Sequence, residues 1–219
     1  MNIALPDKLA VFDMDDTLLR GRFIDRFTER YQQTAALKEI RAQHYSSAER
    51  THAIARLLEG HTREELIELV DGIELVPGTK RVIAALKKQG YLTGIITDSY
   101  DFAAEHVCRK IGADFAVANH AAFEGGIATG EVTIPAILYH TPESSCRHEI
   151  CKQNALEHIL RTRGIARTDC IAVGDSENDT CMVKAAGTGI AFQPKHNCLL
   201  QAADFVIEEP SFEQILSRA

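Results

Sequence analysis

The chain has 219 residues, room for one domain plus a modest insertion. Its 24 basic against 31 acidic residues give a formal charge of −7 with no basic run, which argues against nucleic acid as a partner. No apolar run approaches the roughly 20 residues of a membrane helix and Met1–Pro6 is too short for an export signal, so no membrane association is expected and the six scattered cysteines are expected as reduced thiols in the cytoplasm.

Leu9-Ala10-Val11-Phe12 is bounded by charge and predicts a strand buried on both faces. It stops on Asp13, and Asp15 and Thr17 follow at two-residue steps. From Arg20 to about Val76 every signal is helical: Phe23, Phe27 and Tyr31 form one stripe, Ile54, Leu57 and Leu58 another, and Thr62–Glu65 is a capping box ahead of Leu66, Ile67, Leu69 and Val70. We take 20–76 as a small helical insertion in a core made of 1–19 and 77–219. Pro77-Gly78 marks the return. A helix over 80–89 stops at Gly90, a buried strand Leu92–Thr97 follows, then a helix carrying Ala103, Val107 and Ile111 and a short strand Phe115–Ala118. Residues 119–135, with Glu124-Gly125-Gly126 between Phe123 and Ile127, predict a hairpin or flap, and 139–148 reads as loop. A helix face at Ala155, Leu156, Ile159 and Leu160 stops at Gly164. Strands at Cys170–Val173, Thr188–Phe192 and Phe205–Ile207 alternate with helices, and Ser211 caps a last one. This alternation specifies an α/β fold with a doubly wound parallel sheet.

Four polar clusters fall at strand ends or helix starts: Asp13 with Asp15, Thr97, Lys152, and Gly174-Asp175-Ser176-Glu177-Asn178-Asp179. Ligands in such sheets bind beyond the carboxyl ends of the strands. Asp13 and Asp15 ionise together cheaply only with a cation between them, and hard oxygen donors suit magnesium. The inventory fits phosphoryl transfer, which needs charge neutralisation and in-line positioning more than covalent variety. Each cluster also has an ordinary reading: an Asp turn for Asp13 and Asp15, a solvated surface lysine for Lys152, a strand end for Thr97, a helix cap for Asp175 and Asp179. Their joint order argues against those readings.

In these clusters the chain resembles the haloacid dehalogenase-like phosphatases. Asp13-Met14-Asp15-Asp16-Thr17 matches the D-x-D-x-T signature, Thr97 the strand-end hydroxyl, Lys152 the lysine, and Gly174-Asp175 with Asn178-Asp179 the G-D-x-x-N-D signature, over nearly the whole chain. The helical insertion falls where such proteins carry a C1 cap. The run from Lys152 through Leu156 and Gly164 to Met182, the flap near 119–130, and Ile190-Ala191-Phe192 before Ala203-Asp204 are similar to the phosphoserine phosphatases. The resemblance implies a magnesium-dependent phosphomonoester hydrolase with a small phosphorylated metabolite as substrate. It implies that Asp13 attacks phosphorus and that Asp15 protonates the leaving alkoxide and then deprotonates water. Asp13, Asp175 and the Asp15 carbonyl would hold magnesium. Thr97, the Asp98 amide and Asn178 would meet the phosphate, and Lys152 would neutralise it with Asp179 as its support.

The chain departs from that pattern where Thr97-Asp98-Ser99 stands in place of a hydroxyl followed by Gly-Gly, and where Arg22 stands in place of an early cap glutamate. Arg22 either meets an acidic leaving group or faces water. Arg56, with Arg50 nearby, is the candidate grip for a substrate carboxylate. Cys146, His148 and Cys151, with His140 upstream, raise the thought of zinc, but C-x-H-x-x-C lacks a second half-site and is read as the loop leading to Lys152. Phe23 and Phe27 are expected to pack the insertion, with a face over the site as the alternative. Other readings are a small phosphatase for a different metabolite, a phosphomutase, in which Asp15 returns the phosphoryl group to a second hydroxyl, a phosphorelay receiver, and a catalytically silent binding protein. The helical insertion and Asp15 argue against the receiver, and a silent relative would lack a motif residue.

Overall fold

Leu9–Phe12 is the middle of a seven-stranded sheet in the computed structural model, which describes residues 6–218. Strand β1 (Lys8–Phe12) divides its side chains between two cores: Ala10 and Phe12 enter one hydrophobic cluster, Leu9 and Val11 the other, and all four are fully buried. Burial on both faces is why the run is continuous rather than alternating.

After β1 the chain runs through helices α1 (Phe23–Arg30), α2 (Thr34–Ala42), α3 (Ser47–Ala55) and α4 (Arg63–Asp71). The Thr62–Glu65 capping box forms, with the Glu65 amide donating to Thr62 Oγ1 at 3.2 Å and the Thr62 amide donating to Glu65 Oε2 at 2.8 Å. Ser46 and Glu49 make a second such box at α3. The two chain crossings lie side by side: the Arg20 amide donates to the Glu74 carbonyl at 2.8 Å and the Val76 amide to the Leu18 carbonyl at 2.9 Å.

Helix α5 (Thr79–Lys88), strand β2 (Tyr91–Tyr100), helix α6 (Asp101–Ile111), strands β3 (Phe115–Glu124) and β4 (Ile127–Thr133), helix α7 (Lys152–Arg163), strand β5 (Cys170–Gly174), helix α8 (Thr180–Ala185), strand β6 (Thr188–Phe192), helix α9 (Asn197–Ala202) and strand β7 (Phe205–Ile207) complete the chain. The sheet order is β4-β3-β2-β1-β5-β6-β7, parallel except for β4. This is the doubly wound order, with β1 at the switch point. Two strands outrun their sequence signals. β3 continues to Glu124 because, past Asn119, it changes partner from β2 to the antiparallel β4. β2 continues to Tyr100 through a register shift after Ile96, so it bends at Thr97–Ser99. The last helix is a 3-10 turn, Phe212–Ser217, capped by Ser211 as expected.

The insertion is not a separate globule. Phe23, Phe27, Leu66 and Val70 share one hydrophobic cluster with Phe102, Val107 and Ala128. Phe23 packs edge-on against Phe102 at 5.4 Å between ring centroids and against Tyr100 at 6.1 Å. Phe23 and Phe27 therefore pack inward, and both are fully buried.

Candidate active site

Strand register sets the site. Phe12 lies opposite Ile95 on β2 and Val173 on β5, so Asp13, Thr97 and Asp175 leave the sheet within one residue of the same line. Lys152, the first residue of α7, is buried and puts Nζ 2.6 Å from Asp13 Oδ1 and 2.6 Å from Asp179 Oδ1. The other oxygen of Asp179, Oδ2, accepts from the Asp175 amide (3.2 Å), the Ser176 amide (3.0 Å) and Ser176 Oγ (2.9 Å). Gly174 makes room for this: a Cβ there would lie 2.3 Å from Asp179 Cβ. A lysine, two carboxylates and a turn of backbone thus hold one another in place out of water. Such an ion network is kept by mutual compensation, since removing Lys152 would leave two buried carboxylates without a cation.

A cavity of about 670 Å³ opens above this network, between the strand ends and the helical insertion. Asp15, Thr97, Asp98, Lys152 and Asn178 line it. Asp15 Oδ1 accepts from the Phe23 amide at 2.9 Å, which leaves Oδ2 toward the site and couples this carboxyl to the first turn of α1. Thr97 Oγ1 accepts from the Ser99 amide at 3.1 Å, so its proton is available to a ligand oxygen. Asn178 Nδ2 donates to Asp98 Oδ2 at 2.9 Å, and Asn119 Nδ2 donates to the Asp98 carbonyl at 2.7 Å. Arg22 also lines the cavity, and its charge interacts with Asp98 and Asp15. The two departures from the family pattern, Arg22 and Asp98, therefore line the same cavity.

Of the sequence candidates the structure leaves Arg56 outside. The cavity face of α3 is Ser47, Arg50, Thr51 and Ile54, an i, i+3, i+4, i+7 stripe. Arg56, two residues past Ile54, is turned about 200° away and is exposed, with its backbone against Gly130. Arg50 takes the place expected of Arg56, joined by Arg41. Sequence reading also missed Lys195, which follows β6 and puts Nζ 2.5 Å from Asp16 Oδ2 and 3.1 Å from Asp175 Oδ2. A cation two or three residues past a strand end at the same rim was the available signal. Thr17 Oγ1 donates to Asp175 Oδ1 at 3.3 Å, which gives the hydroxyl of the first motif a structural task.

Burial dominates the titration of these groups. It pushes the Asp13 carboxyl well above its ordinary range, with Lys152 opposing and Asp179, Asp98 and Asp175 adding to the rise. Burial raises Asp15 to about 6 against the pull of the Phe23 amide and Arg22. Burial and Asp179 raise Asp175 against Lys195. Burial opposes charge on Lys152, but Asp13 and Asp179 outweigh it and hold the ammonium well above its usual range. Burial also opposes ionisation of Asp98, yet Lys152, Arg22 and Asn178 together bring its carboxyl below the usual range. Asp13, Asp15, Asp98, Asp175 and Asp179 outnumber Lys152, Lys195 and Arg22, so the site is short of positive charge. Carboxylate oxygens of Asp13, Asp175 and Asp179 lie within 4.8 Å of one another. Asp179 gives its oxygens to Lys152 and the 175–176 backbone, while Asp13 and Asp175 stand at neighbouring strand ends, where the family resemblance implies the side chains that would take a hard divalent cation.

A family model for haloacid dehalogenase-like hydrolases matches residues 10–184. The phosphoserine phosphatase of Methanocaldococcus jannaschii is 30% identical over 213 residues, covering 95% of this chain and 96% of that one. The phosphoserine phosphatase of Archaeoglobus fulgidus is 31% identical over 193 residues, covering 86% of this chain and 53% of that one. The chain thus spans nearly all of the first relative and about half of the second. Among solved structures, a phospho-aspartyl intermediate analogue of phosphoserine phosphatase superposes with a TM-score of 0.79 at 29% identity, covering 97% of this chain and 98% of that one. A substrate-bound phosphoserine phosphatase complex superposes with a TM-score of 0.81 at 27% identity and the same coverage.

Proposed function

The chain belongs to the haloacid dehalogenase-like hydrolases, and from that premise we propose that it is a phosphatase that hydrolyses a small phosphomonoester, phosphoserine first among candidates, through an aspartyl phosphate on Asp13. The observation that carries this reading is Lys152 Nζ held between Asp13 and Asp179 beneath a cavity that also receives Asp15 and Thr97. Residues 1–19 and 77–219 form the catalytic core and 20–76 the cap. The relatives' substrate supports the choice of phosphoserine.

Asp13 and Asp175 would hold magnesium, with the Asp15 carbonyl as a further donor. When bound, the ion supplies the positive charge the site lacks and draws charge from the phosphoryl oxygens. Lys152 places its ammonium beside the same oxygens and keeps Asp13 in position. The Thr97 hydroxyl and the Asp98 amide donate to the phosphoryl group. Asp13 then attacks phosphorus, the bond from phosphorus to the ester oxygen breaks, and Asp15 Oδ2 delivers its proton to that oxygen. In the second half Asp15 takes a proton from water as the water attacks phosphorus, and Asp13 leaves with inorganic phosphate as the product. A carboxyl near pKa 6 suits both duties at neutral pH. The six cysteines are not paired in disulfides, in keeping with a cytoplasmic site of action.

A second reading concerns the leaving group. Arg22, Arg41 and Arg50 all line the cavity from the insertion side, so a leaving group with more than one carboxylate would also be held there. The deciding experiment is a metabolite-phosphate panel with wild type and Asp13→Asn. Phosphoserine at the head of the panel upholds the specific reading. A dicarboxylate phosphate at the head replaces it, and activity retained by Asp13→Asn removes the mechanism altogether.

A further inference from the structure

The loop before Lys152 holds the half-site that the sequence raised, and the fold supplies the missing part from elsewhere. Cys146 and His148 lie on that loop, Cys151 is the residue on which α7 begins, and Cys181 is the second residue of α8, 30 positions further on. The three sulfurs and a ring nitrogen of His148 lie within 4.8 Å of one another. His148 Nδ1 is 3.1 Å from Cys146 Sγ and 3.5 Å from Cys181 Sγ. In a tetrahedral zinc site the edge lengths are about 3.8 Å between sulfurs and about 3.6 Å between sulfur and nitrogen, so closure needs only small side-chain shifts. His140 does not join: its Nδ1 bonds to the Cys146 carbonyl at 2.8 Å, which pins the loop.

We propose that Cys146, His148, Cys151 and Cys181 bind one zinc ion, as three thiolates and a neutral imidazole. The donor set selects it. Soft thiolates with one imidazole suit zinc, whereas the oxygen cluster at Asp13 and Asp175 suits magnesium, so two ions sort themselves between sites by ligand chemistry. The His148 amide lies 3.5 Å from Cys146 Sγ and points to it as a donor, which offsets thiolate charge. Cys146 and Cys151 are buried, and with four protein ligands the site is closed, which makes it structural rather than catalytic.

Position gives the site a consequence. Cys151 immediately precedes Lys152, and Cys181 lies two residues past Asp179. A bound ion ties the helix that carries the lysine to the helix that follows its carboxylate partner. It fixes the bridge between Lys152 and Asp179 from within the cavity wall, to which His148, Cys151 and Cys181 contribute.

The test uses the whole reduced protein after chelation and exchange, with cobalt(II) and zinc as the probes. Cobalt is expected to give thiolate charge-transfer bands and strong tetrahedral visible bands, displaced by one equivalent of zinc per chain. Oxygen donors at the aspartate cluster cannot give the thiolate bands, so the readout is separate from phosphatase activity and from its failure. Cys181→Ser should weaken or abolish the cobalt spectrum, while Cys198→Ser, an exposed thiol outside the cluster, should leave it intact. Stripping zinc from wild type should lower the melting temperature by about 5 °C or more. The proposal is overturned if reduced wild type gives no thiolate-to-cobalt bands, or if those bands survive Cys181→Ser unchanged. Should Cys181→Ser fold poorly, the wild-type cobalt titration and zinc stoichiometry still decide.

Discussion

The strand-end rim and the helical roof over it are built on opposite principles. At the rim Asp13, Asp15, Lys152, Asp175 and Asp179 are buried and much of their bonding is assigned: Asp179 spends both oxygens on Lys152 and the 175–176 backbone, and Asp15 gives one to the Phe23 amide. On the roof Arg41 and Arg50 are exposed; among the described residues Arg41 is tied to Asp25 at 2.8 Å and Arg50 to the Tyr45 carbonyl at 3.5 Å. Fixed dipoles in a low dielectric stabilise charge without reorganising, whereas long side chains in water adapt to what they meet. The rim should therefore set whether any ester is cleaved, and the roof which one.

The largest test of that division is Asp13→Asn. The amide is nearly isosteric and Lys152 keeps Asp179 as a partner, so the fold should hold. kcat/KM should fall by at least about three orders of magnitude on every ester tried. A loss confined to some esters would mean that the rim, too, discriminates.

Asp15→Asn comes next, with an expected loss of about 10²- to 10⁴-fold for alkyl phosphates. A nitrophenyl ester, whose leaving group needs no proton, should lose less. The pH dependence has the same origin. Burial raises Asp15 to about 6, so its protonated fraction falls as pH climbs through that value. Formation of the aspartyl phosphate from an alkyl ester should slow above about pH 6, and from the nitrophenyl ester it should not. Single-turnover phosphate-transfer rates on the two esters would show whether the split exists.

How much of this was legible in the sequence follows the same line. Asp13, Asp15, Thr97, Lys152, Asp175 and Asp179 each sit where a buried apolar run ends or a helix starts, and parallel register then brings them together. Arg50 and Arg56 are six residues apart across the end of α3, and nothing local says which face meets the cavity until the core-packed face is known. The stripe Ser47, Arg50, Thr51, Ile54 is readable only afterwards. Lys195 and Cys181 belong to other turns of the chain, and their places are set by how loops fold back over the sheet. The lengths of β2 and β3 were missed because a strand that changes partner or bends carries no single periodicity.

Roof substitutions should act more gently and unequally. Arg22→Ala removes a charge that interacts with Asp98 and Asp15. A charge-assisted contact to a substrate carboxylate is worth about 1.5–3 kcal/mol, or about 10- to 150-fold in kcat/KM. The effect should appear with acidic leaving groups and shrink with a neutral one. In an Asp98→Gly background the same substitution should cost a different amount, since the two charges are coupled across the cavity. Equal losses on acidic and neutral leaving groups would place Arg22 in the rim's role.

The smallest effect is expected at the opposite edge of the sheet, where an ion pair of similar appearance serves only the fold. Asp114, ahead of β3, accepts from the Thr93 amide and from Thr93 Oγ1, each at 2.9 Å, and pairs with Lys87 at 2.5 Å. Partial burial opposes its ionisation, but Lys87 and Thr93 outweigh it and hold the carboxyl below its ordinary value. A carboxyl depressed on folding contributes stability above its unfolded pKa and loses it as pH falls through the folded one. Asp114→Ala should therefore lower stability by about 1–2 kcal/mol at pH 7, discounted for its exposure, or about 3–6 °C in melting temperature. The gap between variant and wild type should narrow below about pH 4. Its kcat/KM should stay within about twofold of wild type on every ester, because Asp114 lies at the amino end of the strands and the reacting groups lie at the other. A gap that persists unchanged in acid would assign its contribution to packing, and a fall in turnover would mean that the rim depends on charges far from it.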